Sequence, residues 1–177
     1  IDEHVERMLA ADVIEPAISP WASNIVLIRK RDQSLRFCVD YRQLNGLSLN
    51  RDAYALPRTG DCLMSLGRAQ FFSTLDLRSG YWQAEILPED RDKTSFVTRK
   101  GQFRFKVLSF GLANAPALFQ RLMDTVLSGL TWETCLVFLD DVLVFSSTFE
   151  EHVERLTAVF QRIATAGLKL HPLKCRL

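Results

Sequence analysis

Residues 136–145 read Leu-Val-Phe-Leu-Asp-Asp-Val-Leu-Val-Phe, so two adjacent carboxylates interrupt an apolar run. The four β-prone residues on each side are too few for two helices, and they predict two buried strands joined by a tight turn that carries Asp140 and Asp141. An ionised carboxylate among apolar neighbours is costly unless it is paired or bound to a metal. No Lys or Arg adjoins the pair in sequence. A plain Asp-Asp turn in a solvated hairpin is the alternative.

Length and composition are those of one soluble globular unit: the chain has 177 residues, 47% hydrophobic and 24% charged. No apolar stretch has membrane-spanning length and no signal-peptide pattern is present, so we expect an intracellular protein that is neither secreted nor membrane-bound. The four cysteines are widely spaced without a Cys-x-x-Cys pair, which argues against a zinc site or a disulfide framework. The chain starts at Ile1, and we expect it to be part of a longer protein.

The basic residues are clustered, although the formal net charge is only +1. One cluster lies within residues 29–42 and another closes the chain at 169–176. In a third, Arg99, Lys100, Arg104 and Lys106 alternate with apolar residues, which predicts a strand with one basic face. Each cluster is a candidate phosphate-binding surface, and a solvated face is the more common explanation for such runs.

Hydrophobic periodicity predicts alternating short strands and helices without repeats. A capping box at Thr148–Glu151 begins the last helix, on which His152 is expected to lie at the surface. Two helices packed on one face of a small antiparallel sheet would give an α+β fold. The predicted strands cover residues 24–28, 35–39, 71–77 and the two halves of 136–145. An opening helix is predicted around Val5, Met8 and Leu9, and further helices begin near residues 57, 115 and 149.

A third acid, Asp76, interrupts the predicted strand 71–77 and would join Asp140 and Asp141 at one edge of this sheet. Converging carboxylates are hard oxygen ligands that suit Mg²⁺ or Mn²⁺. Two such ions about 3.5–4 Å apart promote in-line displacement at phosphorus. No phosphate-binding Gly-x-x-x-x-Gly-Lys loop or His-Glu-x-x-His motif is present. The acids therefore favour metal-dependent phosphoryl chemistry.

Five ordered segments then carry a specific resemblance, and they span almost the whole chain: residues 35–45 (LRFCVDYRQLN), 74–83 (TLDLRSGYWQ), 109–120 (SFGLANAPALFQ), 138–141 (FLDD) and 167–175 (GLKLHPLKC). They resemble successive motifs of reverse transcriptases, most closely those of gypsy-type long-terminal-repeat retrotransposon Pol polyproteins. The resemblance implies an α+β polymerase palm plus a fingers hairpin, a right-hand architecture that here lacks the thumb. Residues 1–70 would be mainly fingers and 71–177 mainly palm, with residues near 85–110 returning to the fingers.

The resemblance also implies roles for individual residues. Asp76, Asp140 and Asp141 would be catalytic and bind two Mg²⁺ (or Mn²⁺) ions, with the Leu77 carbonyl as a further ligand. Tyr81 would stack under the incoming sugar and exclude a ribose 2′-hydroxyl. Lys174 would be the general acid for pyrophosphate, with Lys169 as competitor. The nucleotide-binding residues would be Lys30, Arg36, Ser79, Gly80, Tyr81, Phe110 and Gly111, and the primer-side residues Phe138 and Leu139, where Phe138 replaces the family's usual Tyr.

The function implied is an RNA-directed and DNA-directed DNA polymerase that adds deoxynucleotides to a primer on an RNA or DNA template. Its partners would be the deoxynucleoside triphosphates and the rest of Pol, namely thumb, connection and ribonuclease H, in a cytoplasmic virus-like particle. Two alternatives stay open from the sequence. One is a non-enzymatic, domesticated nucleic-acid-binding or assembly module, and the other is an RNA-dependent RNA polymerase palm, which Tyr81 disfavours.

Overall fold

The computed structural model describes residues 1–29, 33, 35–48 and 52–177. The chain divides into two compact units, unit 1 with residues 1–51 and 81–115 and unit 2 with residues 52–80 and 116–177. Within the described ranges, none of the helices combines the length and apolar character that crossing a membrane requires. The predicted boundaries of fingers and palm stay a prediction, and residues 52–70 group with unit 2.

Unit 1 contains two small antiparallel sheets flanked by short helices. Strands β1 (Ile14–Pro16), β5 (Phe96–Thr98) and β6 (Gly101–Phe105) form one sheet in the order β1-β6-β5, and β2 (Ile25–Arg29) pairs with β3 (Leu35–Val39) in the other. The predicted strand pair is therefore present, with Ile25 opposite Val39 and Arg29 opposite Leu35. The helices are α1 (Asp2–Ala10), α2 (Arg42–Leu47) and α4 (Pro88–Arg91).

The core of unit 1 is built from residues far apart in sequence. Val5 and Met8 on α1 pack with Phe96 and Phe105 of the three-stranded sheet. Tyr41 is 2% exposed, and its hydroxyl donates to the Thr94 carbonyl at 2.9 Å. Burial raises the pKa of Tyr41 far above its ordinary value. This satisfied hydroxyl fixes the start of α2 against the segment before β5.

Unit 2 is a three-stranded antiparallel sheet with three helices. Its strands β4 (Phe71–Asp76), β7 (Cys135–Phe138) and β8 (Asp141–Ser146) lie in the order β4-β8-β7. The helices are α3 (Thr59–Leu66), α5 (Ala115–Val126) and α6 (Phe149–Thr165). The predicted capping box is confirmed, because the Thr148 hydroxyl accepts the Glu151 N–H at 3.3 Å. The predicted α+β class is likewise confirmed.

The predicted Asp-Asp hairpin forms the centre and one edge of this sheet. Phe138 pairs with Asp141, so Leu139 and Asp140 are the two residues of the connecting turn. The prediction that the turn carries both acids is wrong for Asp141, because that residue is already paired as the first residue of β8. Val142 and Val144 on β8 and Cys135 and Val137 on β7 are buried, which explains the apolar run on either side of the acids. Burial in the sheet therefore explains why the strands are apolar. It does not explain the presence of two acids where the strands meet.

Candidate active site

The register of the unit 2 sheet brings the three predicted acids together. Asp76, the last residue of β4, pairs directly with Asp141, the first residue of β8, and Asp140 precedes it in the turn. Directly opposed residues on antiparallel strands have Cβ atoms about 4.5–5.5 Å apart. Two acids that are 65 positions apart in the sequence are thus cross-strand neighbours. The predicted convergence of Asp76 with Asp140 and Asp141 is present within one compact unit.

The turn that carries Asp140 is held from two sides. The Leu77 N–H donates to the Asp140 carbonyl at 3.2 Å, which ties the turn to the end of β4. The Leu139 N–H donates to the side-chain oxygen of Gln120 on α5 at 2.8 Å. Leu139 itself has φ of 57°, a left-handed conformation that is unfavourable for a residue with a Cβ atom. The backbone is therefore strained at the residue next to the acids.

Gly80 is required by close packing against the same turn. A Cβ atom at this position would lie 2.8 Å from the Asp140 Cβ and 3.1 Å from the ring of Phe119. Real Cβ atoms do not approach other atoms this closely, so any larger residue would displace Asp140 or the aromatic ring. Gly80 thus contributes to the site by making room, whereas the neighbouring Ser79 is exposed, with φ of 52°.

The acids repel one another. Partial desolvation, together with the negative charges of Asp140 and Asp76, raises the pKa of Asp141 above its ordinary value. The positive charge of Lys174 acts in the opposite direction. The Lys174 ammonium lies 3.2 and 3.3 Å from the two carboxylate oxygens of Asp76. Lys174, the predicted general acid, therefore contacts Asp76. The backbone carbonyl of its competitor Lys169 accepts the Arg78 N–H at 2.9 Å.

The other predicted nucleotide-binding residues that the structure describes lie in unit 1. The rings of Tyr81 and Phe110 are 5.0 Å apart between centroids and tilted by 52°. Gly111 has φ of 96°, and a Cβ atom there would come 3.3 Å from the Val39 carbonyl oxygen, so both conformation and space favour glycine. Arg36 lies on β3 opposite Ile28 and is exposed. Lys30 lies outside the described residues.

The basic cluster at residues 99–106 has acidic partners, and its interpretation as a phosphate-binding surface is not supported. Each basic side chain forms an ion pair within unit 1: Arg99 with Asp2, Lys100 with Glu6, Arg104 with Glu15 and Asp92, and Lys106 with Asp12. The partners are supplied mainly by α1 and the segment around β1. The cluster fastens the N-terminal segment to the β5–β6 hairpin.

The prediction that His152 lies at the surface is wrong. The side chain is 6% exposed, and its two ring nitrogens lie 2.8 Å from the Ser73 hydroxyl and 3.1 Å from the Ser146 hydroxyl. Ser73 is on β4 and Ser146 is on β8, so His152 connects α6 to the two strands that carry Asp76 and Asp141. Burial and the nearby Arg155 lower the pKa of His152.

Comparison with known proteins decides between the families that use converging acids. Residues 28–177 match the profile of the family described as reverse transcriptase (RNA-dependent DNA polymerase). The chain belongs to the reverse transcriptase family. It is 37% identical over 180 residues to the Retrovirus-related Pol polyprotein from transposon 297 of Drosophila melanogaster, a match covering 99% of this chain and 17% of that polyprotein. The predicted family is therefore confirmed, within relatives that are much longer Pol polyproteins.

Two further matches support this membership of the reverse transcriptase family. The chain is 43% identical over 129 residues to an RNA-directed DNA polymerase homolog of Oenothera berteroana, covering 71% of this chain and 90% of that protein. Its backbone matches the foamy viral protease-reverse transcriptase solved in complex with an RNA/DNA hybrid, with a TM-score of 0.88 and 26% identity. That match covers 98% of this chain and 23% of the viral chain.

Reverse transcriptases depend on divalent metal ions, and the donor chemistry of this site fits such ions. Asp76, Asp140 and Asp141 place carboxylate oxygens at one sheet edge, where a cation would relieve their mutual repulsion. Within the described part of the chain, no three acidic, His or Cys side chains are arranged as a finished metal site. The Lys174 ammonium occupies one side of Asp76 instead.

Proposed function

We propose that this chain is the nucleotidyl-transfer core of a retrotransposon reverse transcriptase, an RNA-directed and DNA-directed DNA polymerase. The observation that carries the proposal is the register pairing of Asp76 with Asp141 beside Asp140, in a chain that belongs to this family. The energetic cost of gathering three acids at one edge is otherwise unexplained. The reaction joins the primer 3′-hydroxyl to the α-phosphate of a deoxynucleoside triphosphate and releases pyrophosphate.

The three aspartates would hold two Mg²⁺ ions, or Mn²⁺, with the Leu77 carbonyl as a further ligand. When bound, these ions would activate the primer hydroxyl and neutralise charge developing on the phosphates. The chain's own contribution is to hold the carboxylates in place: β4 and β8 fix Asp76 and Asp141, and the tight turn fixes Asp140. Positioning of this kind supplies a large part of catalytic rate.

The remaining residues would select and grip the nucleotide. Arg36 and Lys30 suit the triphosphate, since a guanidinium gives bidentate contacts and an ammonium gives a point charge. Tyr81, backed by the ring of Phe110, would exclude a ribose 2′-hydroxyl. Lys174 places its side-chain nitrogen 3.2 Å from an Asp76 oxygen and would donate a proton to pyrophosphate. Ser79, Gly80 and Gly111 would line the nucleotide site through their backbone, and Phe138 and Leu139 would contact the primer.

The substrates and partners follow from the same proposal. The template would be RNA or DNA carrying a primer, and the foamy viral relative was solved with an RNA/DNA hybrid. Since the chain spans 17% of the Drosophila Pol polyprotein, the thumb, connection and ribonuclease H regions would be supplied by the rest of Pol. The reaction would take place in a cytoplasmic virus-like particle.

The test is primer extension by the longest product of the reading frame that contains this chain. A DNA primer on an RNA template is supplied with deoxynucleotides and Mg²⁺, and Asp140→Asn is compared with the parent. We expect extension in the parent and a loss of about 100-fold or more in the variant. Asp61→Asn, which changes an exposed acid on α3 of the same unit, is the matched control and should retain full extension.

Nucleotide selectivity separates the polymerase classes. Incorporation of ribonucleotides in preference to deoxynucleotides would point to an RNA polymerase, and binding of the primed template without extension would point to a non-enzymatic module. Tyr81→Ala should increase ribonucleotide incorporation relative to deoxynucleotide incorporation, whereas Tyr81→Phe should leave the ratio unchanged. Extension by Asp140→Asn at the parental rate would refute the proposed role of the acids.

A further inference from the structure

A fully buried glutamine on α5 reaches the backbone of the acidic turn. Gln120 has 0% exposure and lies on a helix whose other inward residues, such as Phe119 and Met123, are apolar. Its side-chain oxygen accepts the Leu139 N–H at 2.8 Å. Its side-chain nitrogen donates to the Val137 carbonyl at 3.2 Å. One side chain thus binds the backbone on both sides of Phe138, directly before the acids.

The partners fix the orientation of the Gln120 amide. Its nitrogen also donates to one carboxylate oxygen of Asp124 at 3.1 Å, one helical turn further along α5. If the amide were rotated by 180°, its oxygen would face a carbonyl and a carboxylate, and its NH₂ group would face the Leu139 N–H. All three contacts would become repulsive, so the oxygen is held toward Leu139. Asp124 acts on the turn through this orientation.

The chain of hydrogen bonds continues outward to Tyr54. The Tyr54 hydroxyl donates to the second Asp124 oxygen at 2.7 Å, and this hydrogen bond raises the pKa of Tyr54. The Tyr54 ring is covered by the Arg121 guanidinium at 4.7 Å, and Arg121 also pairs with Asp52 at 2.8 Å. Both carboxylate oxygens of Asp124 are therefore committed, one to the tyrosine and one to the glutamine.

The turn has a physical need for such support. Leu139 adopts φ of 57°, and a left-handed residue with a Cβ atom persists only where its surroundings determine it. A backbone N–H that is turned into the protein must also find an acceptor. Gln120 supplies an acceptor for the Leu139 N–H and helps to hold the Leu139 conformation. The conformation of Leu139 in turn sets the direction of the next residue, Asp140.

We propose that Gln120 is a positioning residue for the catalytic turn and that Asp124 and Tyr54 orient it. Gln120 does not contact substrate. It holds the strained Leu139 backbone so that Asp140 is presented beside Asp76 and Asp141. The consequence for catalysis rests on the proposed function, whereas the hydrogen bond to Leu139 can be measured without any activity. Effects should decrease with distance along the network, from Gln120 through Asp124 to Tyr54.

The experiment combines hydrogen exchange with steady-state kinetics, using the longest product of the reading frame that contains this chain. For Gln120→Leu we expect the Leu139 amide to lose its protection from hydrogen exchange. The kcat for primer extension should fall about 10- to 100-fold, while KM for the deoxynucleotide should change less than about 3-fold. Tyr54→Phe should lower kcat only about 2- to 3-fold. Met123→Ala, which creates a cavity on the same helix, is the stability control and should retain kcat where it is folded.

A double substitution that exchanges the amide and the carboxylate between positions 120 and 124 tests whether kcat can be restored. Gln120→Glu alone places a second carboxylate against Asp124 and should lower kcat. Adding Asp124→Asn restores an amide facing a carboxylate, with the Glu still able to accept the Leu139 N–H. The Val137 carbonyl still faces an oxygen in this double variant, so kcat should recover about 3-fold relative to Gln120→Glu and stay below the parental value. No recovery, or an unchanged kcat and unchanged Leu139 exchange in Gln120→Leu, would overturn the proposal. Absence of extension in the parent would instead refute the proposed function and leave the exchange result to decide on the network.

Discussion

The acidic turn of unit 2 and the basic stretch 99–106 of unit 1 differ in whether their charged side chains have partners of opposite sign. In the basic stretch each cation faces a carboxylate, with Arg104 contacting two acids at 2.6 and 2.7 Å. In the acidic turn three carboxylates lie close together, and Lys174 pairs with one of them, Asp76. Charges with matched partners hold the fold together, while the excess of one sign at the turn raises the free energy of the folded chain. This unbalanced negative charge distinguishes the candidate site from the basic stretch.

The largest expected effect from disturbing the acidic turn without changing its charge comes from Gly80→Ala. The added methyl group would overlap the Asp140 Cβ, so the turn or the strand end must shift. We expect primer extension to fall about 10- to 100-fold and the free energy of unfolding to fall by about 1–3 kcal/mol.

Gly60→Ala is the matched control, because nothing lies within 4 Å of a Cβ atom at that position in α3. It should raise the free energy of unfolding slightly, since Ala has the higher helix propensity, and should leave extension unchanged. Equal effects of the two substitutions on extension would show that the close approach to Asp140 has no functional consequence.

Breaking the matched charges should affect stability and leave chemistry intact. Arg104→Met removes two ion pairs of a side chain that is 30% exposed, and we expect a loss of about 1 kcal/mol in the free energy of unfolding, measured in urea. Primer extension by the folded protein should not change. Arg99→Met, at a side chain that is 83% exposed, should change neither quantity. A loss of template binding in Arg104→Met would show that this stretch also contacts nucleic acid.

The smallest expected effect concerns pH and the buried His152. Its pKa is lowered in the folded chain, so on acidification the unfolded chain takes up a proton before the folded chain does. The stabilising contribution of neutral His152 is therefore complete above about pH 6.5, the ordinary His pKa, and is lost as the pH falls through the lower folded value. The free energy of unfolding should fall more steeply between these values in the parent than in His152→Gln. Identical slopes would contradict the lowered pKa.

Local sequence signals predicted part of the elements, whereas β1, β5, α2 and α4 were not predicted. The Asp-Asp hairpin, the β2–β3 pair and the capping box of α6 are each determined by residues within a few positions of one another, so pattern and turn chemistry suffice. The pairing of Asp76 with Asp141 followed from expecting both acids at one sheet edge. The resemblance to reverse transcriptases supplied the family, which the comparisons confirmed.

Long-range partners account for what the sequence did not predict. Lys100 and Arg99 meet acids more than 90 positions away on α1, and no periodicity of residues 99–106 indicates them. In the sequence, His152 has the pattern of an exposed residue at a helix start. Its partner Ser73 is 79 positions away, so local pattern does not indicate the buried contact. In the sequence, Gln120 is one polar residue within the apolar stripe of α5. A polar residue inside an otherwise apolar stripe was the available signal, because a buried amide needs several partners.

Unfolding of the chain in urea, with and without Mn²⁺, tests most directly whether the acids are gathered to bind a cation. If the acids are gathered to bind a cation, Mn²⁺ should bind the folded chain and raise the free energy of unfolding of the parent. Without Mn²⁺, Asp141→Asn should be at least as stable as the parent, because it removes repulsion with Asp140 and Asp76. The variant should gain less from Mn²⁺ than the parent does. A parent whose stability is independent of Mn²⁺, together with a variant less stable than the parent, would contradict the account.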